Sequence, residues 1–430
     1  MSEAGDSVTD GLDGHYRVYG YRWVVLGVVM FVNFTIQMLW IGFAPITSQA
    51  GKYYGVSDFK VGLLAMSFMI VFIPVSLPAA WVIDTKGFRL AVGFGAVLMS
   101  VCGIARGLAG SNYALVLVFT ICIAVAQPFL LNAWTKMPAI WFGPDERATA
   151  VGLTTLASML GIAGGMALSP VLAKSMAIGS MQLLYGGLAA VSAVAFLLLA
   201  REKPATSPSA AGADERALMF DGLKSALHVK SFLIILGVAF VVMGIFNGVT
   251  TWVEDIIKPR GFGSGDAGTL GAVILVAGVI GAVVLSALSD RQRKRVRFLL
   301  IALVLAIPGV IGFAFATSTW LLFVSGFVLG FFVVAILPIG MQYCAEMTYP
   351  TPEGTSNGLV QLCGQTSVVF VYVMSALKSG NGSFTGSLML AVGLLVISVL
   401  VVSRLREPGQ VRLEAAVPAE VPAAVPLEQP

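Results

Sequence analysis

Long apolar stretches, separated by short polar segments, recur along nearly the whole chain. A helix needs about 20 consecutive, mostly apolar residues to cross a hydrocarbon core of about 30 Å, and twelve stretches meet that requirement. None of them alternates apolar and polar residues as a strand of a membrane barrel does, so the pattern predicts helices and an all-α membrane protein. The predicted helices 1 to 12 cover residues 23–45, 59–83, 88–108, 113–139, 147–173, 180–199, 231–257, 266–288, 296–316, 319–345, 354–378 and 383–403.

One long polar interruption divides the predicted helices into two groups of six. It occupies residues 200–230, so we expect a cytoplasmic linker there between an N-terminal bundle at 23–199 and a C-terminal bundle at 231–403. Residues 1–22 form a polar, cytoplasmic N-terminal tail without the apolar core and small-residue cleavage site of a secretory signal. The end of the chain, residues 404–430, has no periodic apolar face, which predicts a disordered cytoplasmic tail.

The two bundles carry similar motifs 206 residues apart, which indicates an internal repeat. Asp84 and Arg89 follow helix 2, and Asp290 and Arg295 follow helix 8 with the same spacing. This spacing resembles the loop signature GxxxDxxGRxR of the major facilitator superfamily. The resemblance implies two pseudo-symmetric six-helix bundles, and a loop that clamps cytoplasmic helix ends in one transport state.

Both copies depart from the superfamily pattern. Ala80 and Ser286 replace the leading glycine, but both are small enough for close helix approach. Arg293 stands in the second copy where Gly87 stands in the first, which makes the second copy the weaker match. A simple role as solvated loop acids stays open for the two aspartates.

Two charged residues end the helices that the repeat relates to each other. Lys136 lies near the end of helix 4, and Glu346 lies near the end of helix 10. We expect them to belong to a cytoplasmic gate together with Asp84 or with the basic cluster at 291–297. The alternative is that Lys136 snorkels to the membrane surface and Glu346 is solvated.

From helix 4 onward several segments are more distinctive, namely AQPFLL, IWFG, LGFF, LPIG, EMTYP and EGTSNGL. They resemble the feline leukaemia virus subgroup C receptor family of facilitators over most of residues 20–380. That family is associated with transport of choline and ethanolamine, with haem as an older proposal and pyridoxine for a distant relative. The resemblance implies substrate contacts at Trp40, Gln127 and Gln365. Asn247 replaces a tyrosine of the family's aromatic box, which favours a smaller or more polar solute than choline.

The same four residues are predicted to lie well inside the membrane. At 1.5 Å per residue, Trp40 lies about 25 Å from the cytoplasmic start of helix 1, and Asn247 about 24 Å from that of helix 7. Repeat mates at matching depth are expected where a central site lies between repeats. Other roles stay open, because Trp40 also fits an interfacial belt and Gln127 precedes the kink at Pro128. Gln365 and Asn247 also fit helix packing.

Composition and charge agree with this topology. Hydrophobic residues make up 57% of the chain and charged residues 11%, against roughly 45–50% and 25% in soluble domains. With a cytoplasmic N-terminus, 19 of the 26 Lys and Arg residues fall in cytoplasmic segments, as the positive-inside rule requires. We therefore expect a multi-pass protein of the cell membrane with both termini in the cytoplasm, and no nucleic-acid partner.

No Asp, Glu, His or Lys lies near the middle of a predicted helix. Because a proton relay needs a titratable group in the membrane interior, we expect an uncoupled facilitator that carries a choline- or ethanolamine-like organic cation by alternating access. A proton-coupled symporter stays open, as does an exporter of another small metabolite such as an organic anion, a pyridoxine-like vitamin, haem or a drug.

An enzyme is not expected, because His15 and His228 lie outside the helices and the chain has no HExxH or CxxC motif. The expected partners are a small-molecule substrate and the lipid bilayer. We expect a monomer, with no cofactor and no metal ion.

Overall fold

The computed structural model describes residues 8–11, 14–17, 19–134, 136–204, 227–348, 353–380 and 382–407. Twelve helices in these ranges are long and apolar enough to cross a membrane, which confirms the predicted number and the helical fold. Helices 1 to 6 are Arg22–Ile41, Asp58–Lys86, Phe88–Leu108, Tyr113–Leu131, Pro144–Ser175 and Ile178–Leu199. Helices 7 to 12 are Lys230–Thr251, Ser264–Gln292, Arg295–Phe315, Thr319–Met347, the two segments Glu353–Thr366 and Val368–Ala376, and Thr385–Val402.

Shorter elements precede or continue these helices. Helix 1b (Thr47–Tyr54) and helix 7b (Val253–Ile257) follow helices 1 and 7. A further short helix is Lys136–Trp141. Three 3₁₀ turns are Ala44–Ile46, Asn132–Trp134 and Lys258–Arg260. Two antiparallel strands, Val8–Gly11 and Gly14–Arg17, form a hairpin before helix 1, which the all-α prediction did not include.

Helix 7 ends earlier than the sequence predicted. Its last residue is Thr251, and Trp252 leaves helical geometry with φ −102° and ψ 18°. The Trp252 indole N–H donates to the backbone oxygen of Val371 on helix 11 over 3.0 Å, which holds the break in place. Helix 7b therefore lies beyond the membrane-spanning part of helix 7, and so do its acidic residues Glu254 and Asp255.

Glycines let helices approach closely within each half. A Cβ on Gly161 of helix 5 would collide with the backbone carbonyl of Phe34 on helix 1. In the second half, a Cβ on Gly330 of helix 10 would collide with the carbonyl of Ile274 on helix 8. Small residues at such contacts give helices van der Waals packing where the lipid offers no hydrophobic driving force.

The two halves meet most closely at one end of the bundle. We call the end at which helix 1 begins and helix 12 ends the tail end, and the opposite end the distal end. The halves contact each other through helices 5 and 8 and through helices 2 and 11. Three polar contacts at the distal end are Ser48 N to Glu254 Oε2 (3.0 Å), Gln49 Nε2 to Ser264 Oγ (3.0 Å) and Lys258 Nζ to Asp58 Oδ2 (3.6 Å). The distal end is therefore closed in this conformation.

Parts of three predicted polar segments lie outside the described residues. These are residues 1–7, 12–13 and 18 of the N-terminal tail, 205–226 of the linker and 408–430 of the C-terminal tail. The described residues just before the last two, 200–204 and 404–407, leave helices 6 and 12 at the tail end.

Candidate substrate site and gates

Trp40 lies on helix 1 with its indole ring buried at 7% exposure. The indole N–H donates to the backbone oxygen of Ala65 on helix 2 over 3.1 Å, which fixes the orientation of the ring. A ring this buried does not face lipid. Its π faces carry the negative part of the ring quadrupole and can attract a cation.

Gln127 of helix 4 is buried, and its Nε2 donates to Oε1 of Gln37 on helix 1 over 3.3 Å. The Gln127 amide therefore binds a side chain of another helix, and not a backbone carbonyl that the kink at Pro128 leaves without its partner. Gln37 precedes Trp40 by three residues, so the two side chains lie on the same face of helix 1. Gln37 was not predicted from the sequence, although this spacing is the signal that would have identified it.

Asn247 of helix 7 is buried, and its Nδ2 donates to Oγ of Ser367 over 3.3 Å. Ser367 is the residue between the two segments of helix 11. Gln365 lies two residues before this break and is half-buried. A helix break at membrane depth is tolerated only where protein or water satisfies the freed backbone groups. The break therefore marks a polar position beside Asn247.

The four predicted substrate contacts form two groups, one in each half. Gln127 contacts Gln37, which shares a helix face with Trp40, while Asn247 contacts Ser367, two residues after Gln365. Among the described residues, no hydrogen bond joins one group to the other. Together the groups offer an indole face and amide oxygens, which can bind an ammonium group without an ionised partner.

Three residues predicted for the cytoplasmic gate meet at the tail end of the second half. Arg295, at the start of helix 9, forms an ion pair with Asp290 of helix 8. Its Nε and Nη2 also donate to Oε1 of Glu346 on helix 10, over 3.1 and 3.0 Å. The same Glu346 oxygen accepts a hydrogen bond from Gln342 over 3.0 Å. This network joins helices 8, 9 and 10 within one half.

The corresponding loop in the first half is arranged differently. Nη2 of Arg89 lies 3.5 Å from the backbone oxygen of Leu197 on helix 6. The side chain of Asp84 lies outside the described residues. Lys136 begins the short helix that follows helix 4 after the 3₁₀ turn Asn132–Trp134, within a single apolar span from Tyr113 to Trp141. Pro138 lies in the first turn of this short helix, where its missing N–H costs no intrahelical hydrogen bond.

Two glutamates that were not predicted cap matching helices of the two halves. Glu202 accepts hydrogen bonds from the first two backbone N–H groups of helix 3, over 3.0 and 2.7 Å. Glu407 accepts from the N–H groups of Val296 and Arg297 in helix 9, over 3.2 and 3.1 Å. A carboxylate there satisfies orphan donors and interacts favourably with the helix dipole. The sequence signal was the dipeptide Arg-Glu at the end of each half.

The same loops explain the second glycine of the superfamily signature. Gly87 has φ +93°, and a Cβ on it would collide with the carboxylate of Glu202. Its repeat mate Arg293 has φ +52° and is the one non-glycine residue of the described chain with positive φ. Both loops therefore need a residue with positive φ at this position, which glycine adopts without strain.

Charged side chains are buried at two further places. Arg106 of helix 3 lies with its guanidinium over the Phe43 ring at 5.4 Å and reaches the Leu39 carbonyl over 3.4 Å. Glu254 and Asp255 of helix 7b lie between the halves at the distal end, and they are the buried carboxylates of the described residues. On the chain they follow the end of helix 7, seven and eight residues after Asn247.

The family model of the Major Facilitator Superfamily matches residues 29–316 and 260–428 of this chain. The matches cover most of the chain and include both loops with the acid-to-arginine spacing. The chain belongs to the major facilitator superfamily. This facilitator is a multi-pass membrane transporter, as the loop motifs implied.

Named relatives also confirm the narrower resemblance. The choline/ethanolamine transporter flvcr2b of Danio rerio is 26% identical over 406 residues, covering 89% of this chain and 84% of the relative. The human choline/ethanolamine transporter FLVCR2 is 26% identical over 414 residues, with 89% and 77% covered. Solute carrier family 49 member A3 of Xenopus tropicalis is 31% identical over 381 residues, with 84% and 78% covered.

Solved structures share the fold of this facilitator. A bacterial homologue of the human lysosomal transporter Spinster, in an inward-facing and occupied conformation, superposes with a TM-score of 0.72 at 16% identity, covering 92% of this chain and 98% of the other. A single-residue mutant of the nucleoside transporter NupG gives a TM-score of 0.71 at 11% identity, with 89% and 99% covered.

Proposed function

We propose that this facilitator carries a small organic cation related to choline or ethanolamine, by alternating access and without coupling to an ion gradient. The observation that carries the proposal is the buried Trp40 ring, one helical turn from the Gln37–Gln127 amide pair. An indole face attracts an ammonium group by about 0.5–2 kcal/mol, and more strongly when water is excluded. Amide oxygens accept hydrogen bonds from the N–H or O–H groups of such a solute.

The second half favours a solute with hydrogen-bonding groups over a fully methylated one. Asn247 offers an amide where the resemblance implied a tyrosine, so one π face is replaced by a donor and an acceptor. A primary ammonium has N–H groups to satisfy, whereas a quaternary ammonium has none. Within the class printed in the names of the relatives, we therefore favour ethanolamine over choline as the better substrate.

The distribution of carboxylates supports transport without ion coupling. A coupled transporter usually carries an acidic group at the depth of the solute, where protonation and solute binding influence each other. The buried carboxylates of the described residues lie at the distal end, on helix 7b. The gradient of the solute, together with the membrane potential acting on its positive charge, is then the driving force.

The arrangement of polar contacts supports alternating access by movement of one half against the other. The networks around Arg295, Glu202 and Glu407 each lie within one half, so each half can move as a unit. The contacts between Ser48 and Glu254 and between Asp58 and Lys258 join the halves and must break when the distal end opens. We propose that the tail end faces the cytoplasm.

Uptake into proteoliposomes tests the proposal. Purified protein is reconstituted, and protein-dependent entry of labelled ethanolamine, choline and a poorly permeant organic anion such as succinate is measured without a membrane potential and again, for the cations, at an imposed negative-inside potential. We expect saturable entry of both cations, with ethanolamine preferred, and no entry of the anion. Trp40→Ala should lower cation entry by roughly 2–30-fold, the range of a cation–π contact.

A matched tryptophan substitution serves as the control. Trp320 on helix 10 is 78% exposed, so Trp320→Ala should leave cation entry unchanged. Entry of the anion in preference to the cations, or equal rates for Trp40→Ala and Trp320→Ala, would contradict the proposed solute class.

A further inference from the structure

Helix 7b carries two acidic residues where the two halves meet at the distal end. Oε2 of Glu254 accepts a hydrogen bond from the backbone N–H of Ser48 in the other half, over 3.0 Å. Asp255 is only 2% exposed, and no N–H group among the described residues donates to its carboxylate oxygens, which lie beside the carboxyl group of Asp58. An ionised carboxylate without partners is costly to bury, whereas a protonated one costs much less.

The charged groups that face Asp255 come from three elements. Asp58 starts helix 2 in the first half, Glu254 precedes Asp255 on helix 7b, and Lys378 follows helix 11. Lys258, in the turn after helix 7b, acts on Glu254 and also forms the ion pair with Asp58 that joins the two halves. Three carboxylates thus face two ammonium groups. One added proton balances these charges in the closed state.

Other elements that pack on helix 7b direct their charged groups elsewhere. Lys52 of helix 1b is exposed. Asp266 of helix 8 accepts the backbone N–H of Gly263 over 2.9 Å. The Arg260 guanidinium donates to the backbone carbonyls of Phe313 and Ala316. None of these groups supplies the missing partner of Asp255.

We propose that Asp255 is a proton-binding site of the distal gate: closure of the distal end takes up one proton from the solution at that end, and opening returns it there. Within the described residues, no group of three or more His, Cys, Asp or Glu side chains has the arrangement that holds a metal ion, which favours a proton as the cation. The proposal does not depend on the identity of the solute. Because Asp255 is almost fully buried in the closed gate, we expect its proton to be held there until the distal end reopens, so the proton does not cross the membrane and transport stays uncoupled.

The direction of the pH effect follows from the two states of the gate. An aspartate in water titrates near pH 3.9. In the closed gate, burial raises the pKa of Asp255 to about 7, although Lys378 acts in the opposite direction. Between these two values the closed state binds the extra proton, so lowering the pH favours closure by up to about tenfold in population per pH unit. Above pH 7 both states are ionised, and the closed state is then least favoured.

Distances between the halves test the proposal. Ser111 and Thr317 are exposed at the distal end, one in each half, and take spin labels as Ser111→Cys and Thr317→Cys. The background replaces the native cysteines Cys102, Cys122, Cys344 and Cys363. Double electron–electron resonance is recorded in nanodiscs, without solute, between pH 5 and pH 8.5. We expect the short-distance population to grow as the pH falls below 7.

Two amide variants separate Asp255 from other carboxylates. Asp255→Asn imitates the protonated side chain, so its short-distance population should stay high throughout the pH range. Asp266→Asn removes a distal carboxylate that has its own partner, and it should keep the wild-type response. A pH-independent wild-type distance, or an unchanged response in Asp255→Asn, would overturn the proposal, and so would closure driven by sodium at fixed pH. None of these results bears on the uptake experiment with labelled cations.

Discussion

Gln127 on helix 4 donates a hydrogen bond to Gln37 on helix 1 over 3.3 Å, one helical turn before Trp40. The contact joins two helices of the first half beside the proposed aromatic surface. Each amide also has donor or acceptor capacity that this single bond does not use. The pair can therefore hold its place in the bundle and still bind a polar group of the solute.

Loss of the Gln37 amide should weaken transport more than it weakens folding. A neutral hydrogen bond contributes about 0.5–1.5 kcal/mol, which corresponds to roughly a 2–10-fold fall in kcat/KM for Gln37→Ala. Concentration-dependent uptake of labelled ethanolamine measures the effect. Gln292→Ala, at an exposed position at the end of helix 8, serves as the control and should show wild-type uptake. Equal loss in both variants would argue against a role of Gln37 in the site.

A tyrosine at position 247 should shift selectivity toward choline. Asn247→Tyr restores a π face where Asn247 now contacts Ser367, and a cation–π contact contributes about 0.5–2 kcal/mol. We expect the ratio of choline to ethanolamine uptake to rise by roughly 2–30-fold. Asn247→Leu removes the amide without adding a π face and should not favour choline to that extent. If Asn247→Leu raised the ratio of choline to ethanolamine uptake as much as Asn247→Tyr, the change in selectivity would come from loss of the amide and not from the π face.

Much of the fold was predictable because the bilayer imposes it. The length of each apolar stretch predicts a span, and the recurrence of Asp84 at Asp290 predicts the two halves. The break after helix 7 was not predictable, since it is held by the Trp252 indole binding Val371 more than a hundred residues away. Glu254 and Asp255 indicate that the apolar stretch is ending, but they do not locate the break at Trp252.

The candidate site was predictable only in part. Trp40, Gln127 and Asn247 stood out as aromatic or amide groups at membrane depth, and the structure buries all three. Gln37 shares a helix face with Trp40 and would have followed from spacing alone. The burial of Asp255 between the halves depends on helix 1b and the 3₁₀ turn Ala44–Ile46 covering helix 7b, which is a long-range arrangement that no local pattern reports.

The two helix-capping glutamates should contribute independently to stability. A carboxylate at a helix N-terminus contributes about 0.3–1 kcal/mol through the helix dipole, so Glu202→Gln and Glu407→Gln should each lower the free energy of unfolding by that amount. The caps lie in different halves, and distant sites usually add. Unfolding in detergent of both single variants and the double variant measures this. A double variant no less stable than one single variant would contradict independent caps.

The two carboxylate partners of Arg295 should contribute differently to the free energy of unfolding. Glu346 has a side-chain exposure of 25% and accepts two hydrogen bonds from Arg295, whereas Asp290 is 64% exposed. Removing the Glu346 charge by Glu346→Gln should cost up to about 1.5–3 kcal/mol, the range of charged hydrogen bonds. Asp290→Asn should cost about 0.2–1 kcal/mol, the range of exposed ion pairs. Thermal unfolding measures both, and a larger shift for Asp290→Asn would reverse the proposed order.

Gly62 of helix 2 is the position where a single methyl group should hold the distal gate open. A Cβ on Gly62 would overlap the indole ring of Trp252, which crosses from the other half. The ring cannot easily move aside, because its N–H is bound to Val371 and its face stacks on Phe59 at 6.4 Å. Alanine is otherwise favoured over glycine in a helix by up to about 1 kcal/mol, so Gly62→Ala should fold. We expect longer distances between the distal spin labels at every pH, together with slower uptake.

Two further variants separate the clash from a general effect of the methyl group. Gly27 of helix 1 has open space around it, so Gly27→Ala should leave the distal distances unchanged. Removing the indole should relieve the overlap, so the double variant Gly62→Ala with Trp252→Leu should recover the short distances that Gly62→Ala loses. Wild-type distances in Gly62→Ala would mean that the Trp252 ring is not tightly held. In that case the polar contacts around Glu254 and Lys258 would have to close the gate without it.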